Sequence, residues 1–394
     1  MSATASRTLN FAKVMACRGH SVYIFTLRES VDAPLDELFE GCRIIRFRNG
    51  VYPVRFFRER RSMYIRFLIK GHGFPFLSAL VKTIKRYSID VIHCANYFPS
   101  LFGACLNVFV RRPIIGDIHA SAMIEGLERG APFEGVVGML VERLIDLSLD
   151  ALLVPTTDCA NYFRGINSWK GGPIFVLPSC VDLDQFRARP SLKARAEMGV
   201  SPKERLLLYY GSPYPENIEA LELFLRAIYL LREMGYNVKG VVAGDFKSDR
   251  RVAEDIFFTG WLSQEELARY IGAVDLAILP IYLKSKGIST RVLECMASGR
   301  ATITTRNGAA GLESAVDKGG LLVADSVEEM VKSAALLLED DSMMNAVGEA
   351  ARRTIEKELS PTSIGKRLES IYEATIESCL DGPSPRPGLD FIGL

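Results

Sequence analysis

The sequence predicts an α/β protein built from two doubly wound domains, and three observations carry that reading. Short, nearly continuous apolar runs rich in β-branched residues alternate with helical segments, as parallel strands buried on both faces require. The alternation occurs twice, six strand-like runs in each half. At 394 residues the chain is also too long for one hydrophobic core.

Taken in order, Thr8 to Arg18 reads as a helix with Leu9, Ala12, Met15 and Ala16 on one face, stopped by Gly19. The strands of the first half are 21–26, 43–47, 90–93, 113–116, 151–154 and 174–177. Those of the second are 205–209, 238–243, 256–259, 276–279, 301–304 and 321–323, with helices over 218–234 and 326–339. A doubly wound domain places a strand before its first helix, yet no apolar run precedes Thr8. The expectation is therefore that the N-terminal sheet lacks its central first strand. Either the reading frame continues upstream into an apolar run and a Gly-rich loop, or the domain is defective. A Pro-containing charged stretch at 186–202 marks the seam. The expected organisation is a first domain over 1–187, a second over 188–360, a helix over 361–380 returning to the first, and a disordered Pro/Gly-rich tail over 381–394.

Composition narrows the function. The chain is 48% hydrophobic and 24% charged, as in a soluble globular protein. Lys and Arg total 48 against 47 Asp and Glu, so no nucleic-acid partner is expected from overall charge. Eight cysteines without a CxxC pair, and only four His, predict neither a zinc site nor a disulfide framework, and fit a reducing cytoplasm. Met1 to Gly19 lacks the apolar centre of a signal peptide. Val91 to Val110 has no Asp, Glu, Lys or Arg, but His93, Asn96, Pro99 and Asn107 interrupt it. It reads as strand, loop and buried helix rather than as a membrane span.

The richest stretch runs from Phe258 to Glu313. A strand ends at Pro280, a loop passes Gly287, and a helix begins near Ser289. Gly287 would let backbone approach a ligand, and the amides of Ser289, Thr290 and Arg291 at a helix N-terminus would suit a diphosphate. Glu294, one turn in, could accept hydrogen bonds from the vicinal hydroxyls of a ribose. Spacing alone favours an ordinary glycine loop that caps a buried helix.

This stretch resembles the donor site of the group 1, family 4 glycosyltransferases, whose signature carries two Glu eight positions apart before a Met-Ala-x-Gly turn. Here it stands as Lys286-Gly-Ile-Ser-Thr-Arg-Val-Leu-Glu294, followed by Cys-Met-Ala-Ser-Gly299. The second Glu is Glu294; the first, which touches the donor sugar in the family, is replaced by Lys286, as in one branch of the family. Further likenesses are Val176 to Phe186 to the interdomain segment, Tyr210 to Ala220 to a Gly-Ser turn, and Arg18 to Val22 to the end of the first helix. The resemblance implies a GT-B fold, two Rossmann-like domains facing across a cleft, and sugar transfer from a nucleotide-diphosphate-sugar to an acceptor hydroxyl with retention. It implies donor contacts at Gly211, Ser212, Lys286, Gly287, Ile288, Ser289, Thr290, Arg291 and Glu294, with no cofactor and no metal. His119, at the carboxyl end of the 113–116 strand, matches the family's His beside the donor sugar and is the candidate catalytic residue. Asp117 alternates with it and reads first as a buried, hydrogen-bonded carboxylate.

Two acidic motifs read as structural. Asp182-Leu-Asp184 looks like a metal-binding DxD but lies in the interdomain segment, and Glu339-Asp340-Asp341 ends a helix. Between Arg43 and Arg86 stand twelve Lys or Arg and one acid, Glu59, interleaved with aromatics such as Phe47, Phe56, Phe57, Phe74 and Phe76. That pattern suits an anionic membrane surface, in keeping with a lipid-linked acceptor and a peripheral site at the membrane's inner face. It also suits a solvated basic face over core aromatics, or a single-stranded nucleic acid. Two rivals to the transferase remain: a GT-B binding module without activity, favoured by Lys286 and the absent first strand, and a nucleotide-sugar 2-epimerase, whose carboxylate set cannot be assigned.

Overall fold

A computed structural model describes residues 3–28, 30–48, 73–128, 130–166, 172–187, 191–201, 203–246, 255–282 and 287–380. They fall into two compact units, Met1–Leu177 with Gly365–Leu394, and Pro178–Ile364. The division lies at 177/178, ahead of the 187/188 seam expected from the prolines.

In the first unit, helix α1 (Ala3–Cys17) is followed by β1 (Val22–Thr26), β2 (Asp36–Phe39) and β3 (Cys42–Arg46). Next come α2 (Gly73–Arg86), β4 (Ile92–Ala95), α3 (Tyr97–Leu106), β5 (Ile114–Asp117), α4 (Ala122–Glu128) and α5 (Pro132–Asp146). The series closes with β6 (Ala151–Val154), α6 (Thr157–Ile166) and β7 (Ile174–Val176). The strands form two sheets, β1-β3-β2 and an all-parallel β4-β5-β6-β7. Among the described residues no strand pairs with the second edge of β1 or the free edge of β4, and the residues before Thr8 extend α1. β5 and β6 are buried throughout because helices cover both faces of a parallel sheet.

Three expectations change here. β2, Asp-Glu-Leu-Phe, is an antiparallel edge strand without an apolar run, so its sequence gave no strand signal. The buried face of α1 is Arg7, Phe11, Val14 and Met15, with Ala12. Leu9 and Ala16 are only half-buried, since the stripe turns toward a buried Arg7. Within the basic 43–86 stretch, residues 49–72 lie outside the described residues. Of its aromatics, Phe47 and Phe76 are core, packed edge-on at 5.2 Å, whereas Phe74 is exposed.

The second unit holds α7 (Leu192–Glu197), β8 (Arg205–Tyr210), α8 (Pro215–Glu233), β9 (Val238–Ala243), β10 (Ile256–Gly260) and α9 (Gln264–Ala273). Then follow β11 (Leu276–Leu279), α10 (Thr290–Ala297), β12 (Ala301–Thr304), α11 (Glu313–Asp317), β13 (Leu322–Val323), α12 (Val327–Glu339) and α13 (Asp341–Glu358). Helix α14 (Pro361–Leu380) begins in this unit and ends in the other. The six strands are parallel in the order β10-β9-β8-β11-β12-β13. Chain order reverses between β8 and β11, which makes their carboxyl ends the switch point where open α/β sheets bind ligands.

Both acidic motifs serve turns. Asp182 Oδ1 accepts the amides of Asp184 (3.0 Å) and Gln185 (2.9 Å), and Asp340 caps α13 by accepting Met343 N–H at 3.0 Å. No helix of the described residues is long and apolar enough to cross a membrane; Val91 to Val110 holds β4 and α3.

Candidate donor site

Sequence-distant residues meet at the switch point of the second unit. Ser289 is the N-cap of α10, and Leu293 N–H makes the first helical turn with Ser289 O at 3.1 Å. The amides of Thr290 and Arg291 precede that bond, so the helix itself gives them no acceptor. Behind them, the Arg291 guanidinium donates to Tyr210 O (2.9 Å) and to Asn217 Oδ1 (3.1 Å). Asn217 Nδ2 in turn donates to Ser212 O at 2.8 Å. The end of β8, the start of α8 and the start of α10 are thus tied through one side chain.

Two glycines lie close to their neighbours here, and at Gly244 the neighbour is backbone. A Cβ on Gly211 would stand 2.9 Å from Arg291 Nη1. Gly244, just past β9, has φ +123°, and a Cβ on it would meet Gly211 O at 2.0 Å. The ends of β8 and β9 therefore approach backbone to backbone, which leaves the β8 turn clear of side chains beside the α10 N-terminus.

Glu294 stands on the inner side of this arrangement. Tyr210 Oη lies 2.7 Å from Glu294 Oε2 and 2.8 Å from Arg291 O, a single hydroxyl donor shared between two acceptors. Burial pushes the Glu294 carboxyl up to about 7, against the opposing effects of the Tyr210 hydrogen bond and the Arg291 charge. Burial, then the adjacent Glu294 charge, raise the Tyr210 phenol well above its usual range, so it remains a donor. The site thus presents backbone amides for an anion and a tunable carboxylate for hydroxyls.

The structure brings Gly211, Ser212, Ser289, Thr290, Arg291 and Glu294 together, with Gly287 and Ile288 leading into the helix. Lys286 lies outside the described residues. Sequence reasoning missed Tyr210 and Asn217. The signal for Tyr210 was present, a phenol ending an otherwise apolar buried strand, which demands an acceptor.

In the first unit, His119 follows β5 and is held against a buried polar cluster. Its Nε2 lies 3.3 Å from Asp117 Oδ2. Asp117, fully buried, also receives Arg7 Nε at 2.9 Å, Arg7 Nη2 at 2.9 Å and His93 Nε2 at 3.2 Å. Burial alone would raise the Asp117 carboxyl. The Arg7 charge, the neighbouring His119 ring and the His93 hydrogen bond outweigh it and hold Asp117 well below the usual carboxylate range. An ionised Asp117 only accepts, so His93 donates to it from Nε2, and His93 Nδ1 lies 2.8 Å from Tyr372 Oη. Burial raises that phenol, which keeps it the donor. Arg7 Nη2 also donates to Leu177 O at 2.8 Å. Arg7, His93 and Tyr372 were not read from the sequence; Arg7 on the apolar stripe of α1 was the available clue.

Comparison with known proteins bears on the family and the fold. Residues 4–185 match the family described as Glycosyltransferase Family 4, and residues 204–340 match Glycosyl transferases group 1. The chain belongs to the group 1, family 4 glycosyltransferases. It is 24% identical to a D-inositol 3-phosphate glycosyltransferase of Thermobispora bispora, over 93% of this chain and 88% of that one. Sucrose-phosphate synthase from Thermosynechococcus elongatus has the same fold, with a TM-score of 0.76 at 18% identity over 94% of this chain and 93% of that one. Anabaena HepE in complex with UDP-glucose aligns with a TM-score of 0.64 at 13% identity, over 89% of this chain and 99% of that one. The fold of this glycosyltransferase is therefore GT-B.

Proposed function

We propose that this glycosyltransferase uses a UDP-sugar as donor and moves the sugar to an acceptor hydroxyl with retention, in the synthesis of a glycan, polysaccharide or glycolipid. The observation that carries the donor half is the assembly of Tyr210, Arg291 and Glu294 beside the α10 N-terminus, at the sheet's switch point. Glu294 takes the two ribose hydroxyls. The amides of Thr290 and Arg291 take the diphosphate, and the same amides stabilise it as it leaves, without a metal ion. Several solved structures of this fold are complexes with UDP, UDP-glucose or a fluorinated UDP-glucose, which favours uridine as the base.

His119 is the proposed catalytic side chain. Asp117 Oδ2 lies 3.3 Å from its Nε2, close enough for its charge to favour that orientation of the ring. Among the described residues the carboxylate nearest His119 is Asp117, which is fully buried and paired with Arg7, so the retention proposed is a same-face displacement in which the sugar–phosphate bond breaks as the acceptor oxygen bonds. The acceptor proton passes to the departing diphosphate.

The test is UDP release from a panel of UDP-sugars with mixed acceptor hydroxyls. Acceptor-dependent UDP release that survives EDTA, with the product's anomeric configuration matching the donor's, is the expected result. His119→Ala is expected to lower turnover while nucleotide affinity stays within twofold. Binding without acceptor-dependent release under any combination would instead establish the inactive binding module.

A further inference from the structure

Glu142 is an acid only 1% exposed, on the face of α5 that also buries Gly135, Gly138, Ile145 and Asp146. A carboxyl is kept in such a place only where its oxygens are bonded. Here the bonds converge on the segment that follows His119. Glu142 Oε1 accepts Ala122 N–H at 2.8 Å and Ser121 Oγ–H at 3.1 Å. Tyr97 Oη lies 2.9 Å from the same oxygen and 2.7 Å from Ala120 O, one hydroxyl hydrogen between two acceptors. It also accepts Ala122 N–H at 3.0 Å. Glu142 Oε2 accepts Tyr162 Oη–H at 2.9 Å, which ties the carboxyl to α6.

The helix reaches the loop because a glycine lets it. Gly138 stands one turn before Glu142 on the same face. A Cβ on it would lie 2.8 Å from Ala122 C and 2.8 Å from Met123 N, backbone that cannot turn aside.

The residues between β5 and α4, Ile118 to Ser121, are thereby held at both ends. On the β5 side, Asp117 O accepts Asn96 N–H at 2.8 Å, and Ile118 N–H donates to Leu153 O at 2.9 Å. On the α4 side stand Tyr97 at Ala120 O and Glu142 at Ala122 N–H. His119 lies between the two fixed ends. Helix capping does not account for the acid, since Ser121 Oγ already accepts Ile124 N–H at 3.1 Å, the bond an N-cap residue supplies.

We propose that Glu142, together with Tyr97, is a positioning residue for His119: it fixes the backbone of 120–122 and so sets where the imidazole stands. This rests on the reading of His119 as the catalytic side chain. The donor contacts proposed above draw on neither residue, so their loss should fall on turnover rather than on donor binding.

The first test needs no acceptor. With 13C-labelled histidine the chain gives one ring Cε1–H signal for each of His20, His72, His93 and His119, and His119→Ala identifies its own by the loss. Tyr97→Phe keeps the ring and removes only the hydroxyl. It should shift or broaden the His119 signal and leave that of His20 in place.

Turnover, read as UDP release from UDP-glucose with the mixed acceptor hydroxyls, gives the second test. Tyr97→Phe should lower kcat about tenfold and Glu142→Ala about a hundredfold, as a misplacement of about 1 Å does, with KM for UDP-glucose within twofold. Glu142→Gln keeps Oε1 as an acceptor for Ala122 and should recover most of the loss. Added to His119→Ala, neither change should lower kcat further, because residues that act as a unit are not additive. A His119 signal unmoved by Tyr97→Phe, an unchanged kcat in both variants, or losses that multiply with that of His119→Ala would each overturn the proposal. Full turnover in His119→Ala would overturn the catalytic reading of His119, and this proposal with it, whatever the spectra show.

Discussion

On the proposed reading, in which Glu294 takes the ribose hydroxyls, donor binding depends on pH. Accepting two ribose hydroxyls needs the carboxylate, and burial has raised this carboxyl from 4.5 to about 7. Affinity for UDP-glucose should therefore rise as pH increases through about 7. Glu294→Gln should give a flat, weaker profile in titration calorimetry; an equal pH dependence in Glu294→Gln would remove this residue from the site. Stability runs the other way. A carboxyl whose folded value is raised takes up a proton on folding, so its stabilisation is complete below 4.5 and is lost as pH rises through about 7. Asp117 has the opposite sign. Its depressed value stabilises the fold above about 3.8, and this is lost as pH falls below that value. Asp117→Asn strands a buried Arg7 and should cost about 3–5 kcal/mol in urea melts at neutral pH. It should also flatten the acid side of the stability profile; an unchanged midpoint would contradict the buried pair.

Elements differ in how openly the sequence declares them. β5, β6, β8 and β11 were legible because strands covered on both faces must be apolar throughout. β2 was not, because a short edge strand needs no apolar run: Arg43 Nε reaches Asp36 Oδ1 at 2.8 Å and Arg46 also pairs with Glu37, so charged neighbours complete it. Those two pairs also offset part of the positive charge of the 43–86 stretch. What remains exposed among its described residues includes Lys82, Lys85 and Arg86 on α2. If this helix meets an anionic membrane, changing all three to Gln should weaken binding to anionic vesicles by about 1 kcal/mol per charge. The effect should fade as salt shortens the screening length below about 10 Å. Equal sedimentation of the variant and the parent would leave α2 as a solvated face.

At the scale of the whole molecule, the fold was readable as two series of strands and helices, and the site only in part. Gly287 to Glu294 was legible because it is one continuous loop and helix turn. Its supports were not, because they come from far along the chain: Tyr210 lies 84 residues from Glu294, Arg7 lies 110 from Asp117, and Tyr372 lies 279 from His93. Each is a polar side chain on a largely apolar element, and burial there only makes sense once its partner is known. The account rests on the second unit holding the donor, and titration of UDP-glucose into the parent chain and Glu294→Ala tests it most directly. Saturable binding that weakens by roughly 1.5–3 kcal/mol in the variant, the loss of a hydrogen bond to a charged group, is the expected result. Equal affinity in both proteins would contradict the placement of the ribose, and no binding to either would contradict the donor site itself.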